Sequence, residues 1–206
     1  VLVHESLGAG LVPGPLVAAT LAAGLVDGVI DGTVVPAILD RPAHGAVVVE
    51  HLRDADVLLV VDDEGVSSIP AGSLAGTVLP HPTDPITPVT LLDALPAGER
   101  IAGPEVAIAW RRVGSVLTSS QMVGLSEAAT TLAVEYAKER QQFGKPIGSF
   151  QGLKHLLAAA LLWSMAAYGL GSGETPAVIA AIVSLAGGGL LANIVSVVFL
   201  IVEIAV

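Results

Sequence analysis

The sequence predicts an α+β protein: a small antiparallel β-domain over residues 25–102, then a C-terminal antiparallel helical bundle over 103–206. Three observations carry this. Between residues 25 and 102, short Val/Ile-rich runs alternate with Asp-Gly and Pro-rich punctuation, the pattern of strands joined by turns. Gly103-Pro104-Glu105 reads as a helix start, with Pro near the first helical position and an acid in the first turn. From there a helix should run to about Gln142, with Val113, Leu117, Gly124, Ala128, Leu132 and Tyr136 on one stripe. Several of these are small, which suits close helix–helix approach.

Taken in order, Val1–Ala23 is apolar, and Pro15 suits the first turn of a helix over Leu16–Ala23. Leu25–Leu39 is cut by Asp27-Gly28 and Asp31-Gly32 and predicts short antiparallel strands. Ala46–Glu50, Val57–Val61 and Gly65–Ile69 continue the pattern, and Asp62-Asp63-Glu64-Gly65 forms the turn between the last two. That acidic turn reads as solvated rather than metal-binding. Pro80, Pro82, Pro85 and Pro88 predict an extended loop. Val89–Ile101 reads as one more strand region, ending in a loop with Gly98. Beyond the long helix, Ser149 can cap a second one whose face is Leu153, Leu157, Leu161, Met165 and Tyr168. Gly169, Gly171 and Gly173 end it.

Composition excludes several classes. A chain of 206 residues allows one or two compact units with a real core. A formal charge of −10 opposes nucleic-acid binding, which needs concentrated Lys and Arg. Aromatics at 3% supply no platform for single strands. The absence of cysteine removes disulfides, thiolate metal sites and a Cys nucleophile, and is compatible with a cytoplasmic protein. No basic segment precedes an apolar run near Val1, so no signal peptide is expected. His4, His44, His51, His81 and His155 are scattered without metal-ligand spacing. No nucleophile elbow or phosphate-binding loop is present.

The chemistry concentrates at Tyr136–Gln151, where Lys138, Arg140 and Lys145, followed by Lys154, gather beside Phe143 and Phe150. A permanent guanidinium next to aromatic surface suits a flat, anionic ligand; a solvated helix hairpin with a basic corner is the plain alternative. This region resembles the C-terminal helical domain of acyl-CoA dehydrogenases. The resemblance is carried by Gly124, by A-V-E-Y-A-K-E-R-Q-Q-F-G-K-P-I-G-S-F-Q at Ala133–Gln151, and by K-H-L-L-A at Lys154–Ala158. Looser agreement at Pro13–Ala18, Asp54–Val61 and Asp84–Val89 is similar to short actinobacterial-type members, which resemble subunits that work beside a longer chain.

The resemblance implies that residues 1–24 are the remnant of an N-terminal helical domain. It implies FAD as cofactor, with Arg140 on the pyrophosphate and Gln142, Phe143, Phe150 and Gln151 lining the same site or packing near it. It further implies a longer acyl-CoA dehydrogenase partner in an α2β2 hetero-oligomer, and an acyl-CoA substrate from fatty acid or steroid side-chain β-oxidation. A salt bridge from Arg140 to Glu135 or Glu139 is the competing role for that residue. The family's T-E-x-x-A-G-S-D and W-I-T flavin motifs are absent. One family position for the base falls near Gly114, which holds no proton, and the other lies in a tail whose acid Glu203 reads as structural. No catalytic residue is therefore assigned.

From His155 onward the charges are Glu174 and Glu203, so Pro176–Val206 satisfies a hydropathy rule for a membrane span. Buried helices broken at Gly187–Gly189, inside a helical oligomer and without membrane contact, are the reading the resemblance favours. The conclusion from sequence is a subunit of an FAD-dependent acyl-CoA dehydrogenase that completes a partner's cofactor site and lacks its own base. Two alternatives stand beside it: a complete homotetrameric enzyme of which these residues are part, and a non-enzymatic membrane or interaction protein anchored by 176–206.

Overall fold

A computed structural model describes residues 1–41 and 46–157. The readings made for His44, Leu161 onward and Pro176–Val206 lie outside the described residues. The chain divides into two compact units, one of Pro13–Ser115 and one combining Val1–Val12 with residues from Val116 onward.

The helix α1 (Leu2–Ala9) belongs to the second of these, and α2 (Leu16–Ala22) opens the first. Pro15 takes the N-cap position of α2, as its fixed φ allows. Residues 24–35 do not form the expected strands. They make successive turns in which Gly24, Gly28 and Gly32 adopt φ of +84°, +85° and +76°. The Asp31 carboxylate accepts from the Thr33 amide and hydroxyl, at 3.1 and 2.7 Å, closing an Asx turn. Asp-Gly at this spacing thus builds consecutive turns, with too few residues between them for a strand.

Seven strands follow: β1 (Pro36–Asp40), β2 (Val47–Glu50), β3 (Val57–Asp62), β4 (Gly65–Pro70), β5 (Gly76–Val78), β6 (Val89–Leu92) and β7 (Glu99–Ala102). They form a four-stranded sheet, β1-β3-β4-β7, and a three-stranded sheet, β2-β6-β5. All pairs are antiparallel except β1 with β3, which is parallel and corrects the purely antiparallel expectation. The chain leaves the first sheet after β1, builds β2 in the second, and returns, so β3 enters from the same end. Val89–Ile101 is likewise two strands in different sheets.

β3 is central and buried on both faces from Val57 to Val61, which explains its unbroken apolar run. Leu58, Val60 and Ile69 of one sheet share a core with Val49 and Leu92 of the other and with Leu52. The Asp56 carboxylate accepts the Val35 amide at 2.8 Å, fixing the entry to β1.

The acidic turn Asp62–Glu64 keeps Asp63 and Glu64 in solvent, as expected, and its carboxylates also make ion pairs. Arg100 of β7 pairs with Asp62 at 2.9 Å and Glu64 at 3.2 Å. Arg111 pairs with Asp40 at 2.9 Å and Asp63 at 3.1 Å. Hydrogen bonding from Arg100, more than simple attraction, holds the Asp62 carboxyl below its ordinary range. Its stabilising contribution is therefore present above the unfolded-state pKa and is lost as pH falls through the lower folded-state value. We expect thermal melts between about pH 5 and pH 2.5 to show an acid-side loss of stability that Arg100→Gln makes shallower. An unchanged pH slope in that variant would show that the pair contributes nothing.

The helix α3 (Pro104–Glu139) spans 36 residues, close to the predicted extent. The predicted stripe is only partly buried. Leu117 and Gly124 are covered, whereas Val113, Leu132 and Tyr136 are exposed. Ala107 and Trp110 bury instead in the first unit, and Ser120, Val123 and Ala137 in the second. Small residues do set a close approach. A Cβ on Gly124 would overlap the Glu5 carbonyl, its carbon 2.8 Å away, and one on Gly8 would meet the Gln121 carbonyl carbon at 2.7 Å. Backbone of α1 therefore lies directly on backbone of α3.

Candidate functional site

The site begins where α3 ends. Gln141–Gln142 (β8) and Lys145–Pro146 (β9) form a two-stranded ribbon with Gln142 opposite Lys145. Its loop is Phe143-Gly144, with φ of +54° and +76°, the paired positive values of a type I′ turn. Glycine accepts that geometry freely; phenylalanine adopts it at a cost. The Ile147 amide donates to the Arg140 carbonyl at 2.8 Å, extending the ribbon by one residue on each side.

Side chains alternate along a ribbon, so Arg140, Gln142 and Lys145 share one face and Gln141 and Pro146 take the other. All three of the first set are exposed. Phe143 is 90% exposed, and its ring meets the half-buried Phe150 edge-on at 6.1 Å and 87°. The Lys145 ammonium lies 4.5 Å above the Phe150 ring, a cation–π contact. Gln151 is exposed at the start of a helical stretch over 151–157. Four of the five predicted residues, Arg140, Gln142, Phe143 and Phe150, thus lie on or beside one ribbon, and Gln151 follows directly.

The corner is held from behind. Gly148 is buried, with space for a Cβ only 3.0 Å from the Ala137 carbonyl oxygen. The Ser149 hydroxyl donates to the Pro146 carbonyl at 2.7 Å and so closes the turn Ile147–Ser149, rather than capping the next helix as expected.

Charge is distributed unevenly. Glu135 pairs with Lys138 at 2.8 Å and not with Arg140. Among the described residues Arg140 has no ion pair or side-chain hydrogen bond, and Lys145 has no carboxylate partner. Lys154 is 8% exposed and is withdrawn from the basic corner. Two cations on one ribbon face thus have no carboxylate partner among the described residues, on a chain of formal charge −10. Lys145 was not among the predicted ligands, although the two-residue loop between Gln142 and Lys145 places it opposite Gln142 and beside Arg140. Among the described residues no group of acids and histidines could hold a metal ion. Gly114 lies against Leu21 and brings no acid. Glu203 is outside the described residues. No described helix is long and apolar enough to cross a membrane.

A fold of this kind, two small sheets with flanking helices, is shared with solved acyl-CoA dehydrogenases. The butyryl-CoA dehydrogenase from Megasphaera elsdenii superposes with a TM-score of 0.57 at 22% identity, over 77% of this chain and 57% of that one. The ChsE4-ChsE5 complex from Mycobacterium tuberculosis gives 0.61 at 21%, over 84% and 61%. In sequence, the acyl-CoA dehydrogenase IpdE2 of Mycolicibacterium smegmatis is 31% identical over 162 residues, 76% of this chain and 50% of its own length. The chain belongs to the acyl-CoA dehydrogenase family, and it spans about half the length of that relative. Residues 125–204 also match a family of unknown function (DUF6394).

Proposed function

We propose that this chain is a subunit of an FAD-dependent acyl-CoA dehydrogenase, and that its corner from Arg140 to Gln151 completes a cofactor site in a longer partner chain. The supporting observation is the exposed face of Arg140, Gln142 and Lys145, with Phe143 projecting beside it and no acid among the described residues paired with it. A dinucleotide pyrophosphate is a flexible polyanion flanked by flat rings. Arg140 offers a permanent charge with several donors, Gln142 an amide, and Phe143 and Phe150 offer ring surface. Gln151 lies at the start of the following helical stretch, close enough in sequence to serve the same ligand. The donor set therefore fits the group.

When bound, the flavin accepts the hydride equivalent removed from an acyl thioester. The residues of this chain would bind and orient, and the base that takes the α proton would come from the partner. The fold is shared with the ChsE4-ChsE5 complex, an assembly of two named components, and that favours a hetero-oligomeric reading, here proposed as α2β2. The substrate would be an acyl-CoA thioester bound largely by the partner.

The isolated chain is expected to purify colourless, without visible flavin absorbance, and co-expression with its partner is expected to yield a yellow complex. Stoichiometric flavin on the isolated chain would overturn the subunit reading in favour of a self-sufficient homo-oligomer. A structure of the complex with Arg140 still facing bulk water would overturn the cofactor role.

A further inference from the structure

We infer that Asp27-Gly28 is a site of spontaneous covalent modification, where aspartate converts through a succinimide to isoaspartate, and that the neighbouring Asp31-Gly32 is shielded from the same reaction by its turn. The inference is independent of the cofactor corner. Both pairs lie in the run of turns over 24–35 that joins α2 to β1, and both follow an apolar β-branched residue, Val26 or Ile30. In each, glycine supplies the attacking amide without a side chain to hinder it, and its φ is positive, +85° at Gly28 and +76° at Gly32. By sequence alone the two pairs are equals.

In the fold they are not. The Asp31 carboxylate accepts from the Thr33 hydroxyl at 2.7 Å and the Thr33 amide at 3.1 Å, which ties it to the residue beyond the glycine. The hydroxyl first, and then the amide, also hold this carboxyl below its ordinary range, leaving less of the protonated form that can lose water. The Gly32 amide donates to the Val29 carbonyl at 3.3 Å. Asp27, by contrast, is exposed, and among the described residues neither its carboxylate nor the Gly28 amide makes a hydrogen bond. Nucleophile and electrophile are uncommitted at the first pair and engaged at the second.

The Gly28 amide nitrogen attacks the side-chain carboxyl carbon of Asp27. A C–N bond forms, the carboxyl hydroxyl leaves as water with the amide proton, and a cyclic imide closes. Water then opens the ring at either carbonyl. One opening returns aspartate; the other leaves the main chain running through the side chain, with a free carboxylate on the old main-chain carbon. The net change is an isomerisation and needs no co-reactant. The Gly28 carbonyl accepts from the Val34 amide at 3.0 Å and the Thr33 hydroxyl at 3.2 Å. A methylene inserted ahead of Gly28 displaces that acceptor and loosens the entry to β1.

The test is ageing of the full chain in warm, mildly acidic buffer, folded and in concentrated urea, followed by peptide mapping. Isoaspartate is read by mass-resolved chromatography and by resistance to a protease that cuts before aspartate. In the folded chain isoaspartate should build up at residue 27, through a transient species lighter by one water, at least about fivefold faster than at residue 31, the factor one hydrogen bond's net worth gives. In urea the two rates should converge. Thr33→Val, which removes the hydroxyl but keeps the amide bond, should speed residue 31 roughly threefold. Asp27→Glu should form no isomer at 27, since the larger ring closes slowly. Equal rates at the two pairs in the folded chain, no isoaspartate at 27, or a difference that persists unchanged in urea would each overturn the assignment. Should Thr33→Val not fold, the comparison of the unsubstituted chain with and without urea decides.

Discussion

Gly124→Val should lower the thermal midpoint by roughly 6–12 °C, corresponding to about 3 kcal/mol or somewhat more. The reason lies in what the new side chain would meet. A Cβ at Gly124 overlaps the Glu5 carbonyl and comes within 2.9 Å of the Ala9 amide nitrogen, and both are backbone atoms of α1. Backbone cannot rotate aside as a side chain can, so α1 must shift along its length. Gly124→Ala should show the same effect at smaller size. Gly152, in the helical stretch over 151–157, has nothing within 4 Å of an added Cβ. Gly152→Ala should therefore be neutral or stabilise by up to about 1 kcal/mol, because alanine restricts the unfolded chain and favours helix. Circular dichroism melts of the three variants check this. Equal midpoints for Gly124→Val and the unsubstituted chain would show that α1 does not rest on α3 as described.

Arg140→Ala should cost the co-expressed complex most of its bound flavin, with a loss in affinity of about tenfold to a hundredfold. A charge-assisted, forked contact to a phosphate is worth more than a neutral hydrogen bond, and removing it leaves the anion facing Lys145 alone. Arg140→Lys should recover only part of the affinity, since an ammonium keeps the charge but not the fork. The measurement is flavin absorbance per complex after dialysis, with the thermal midpoint as control. Because Arg140 is exposed and makes no ion pair among the described residues, the midpoint of the isolated chain should not move. Full flavin retention in Arg140→Ala would remove this residue from the site.

Much of this was legible in the sequence, and what was missed has physical causes. β3 and β4 showed because a Val/Leu-rich run, an acidic turn ending in Gly65 and a second run leave a hairpin as the simplest solution. α3 showed because its start signals are local. The corner at R-x-x-F-G showed as a tight connection after the long helix, but not as a ribbon: α3 stops at Glu139 and Gln141–Gln142, expected at the helix end, pair with Lys145–Pro146 instead. The parallel pairing of β1 with β3 was hidden because strand direction depends on where the chain travels in between. The stripe on α3 failed because its 36 residues contribute to two units, and one period cannot describe two sets of neighbours. Burial of Lys154 and the partnering of Asp62 with Arg100, 38 positions apart, are long-range facts that no local window contains.

Phe143 carries a thermodynamic consequence beyond its place at the site. An aromatic ring kept 90% in water forgoes about 1.5–3 kcal/mol of transfer free energy. Any surface that closes over it releases that amount, which alone multiplies an association constant by roughly 10- to 100-fold. Unlike the share due to Arg140, this share is not screened by added salt, so assembly through this loop should persist at ionic strengths that weaken its electrostatic component.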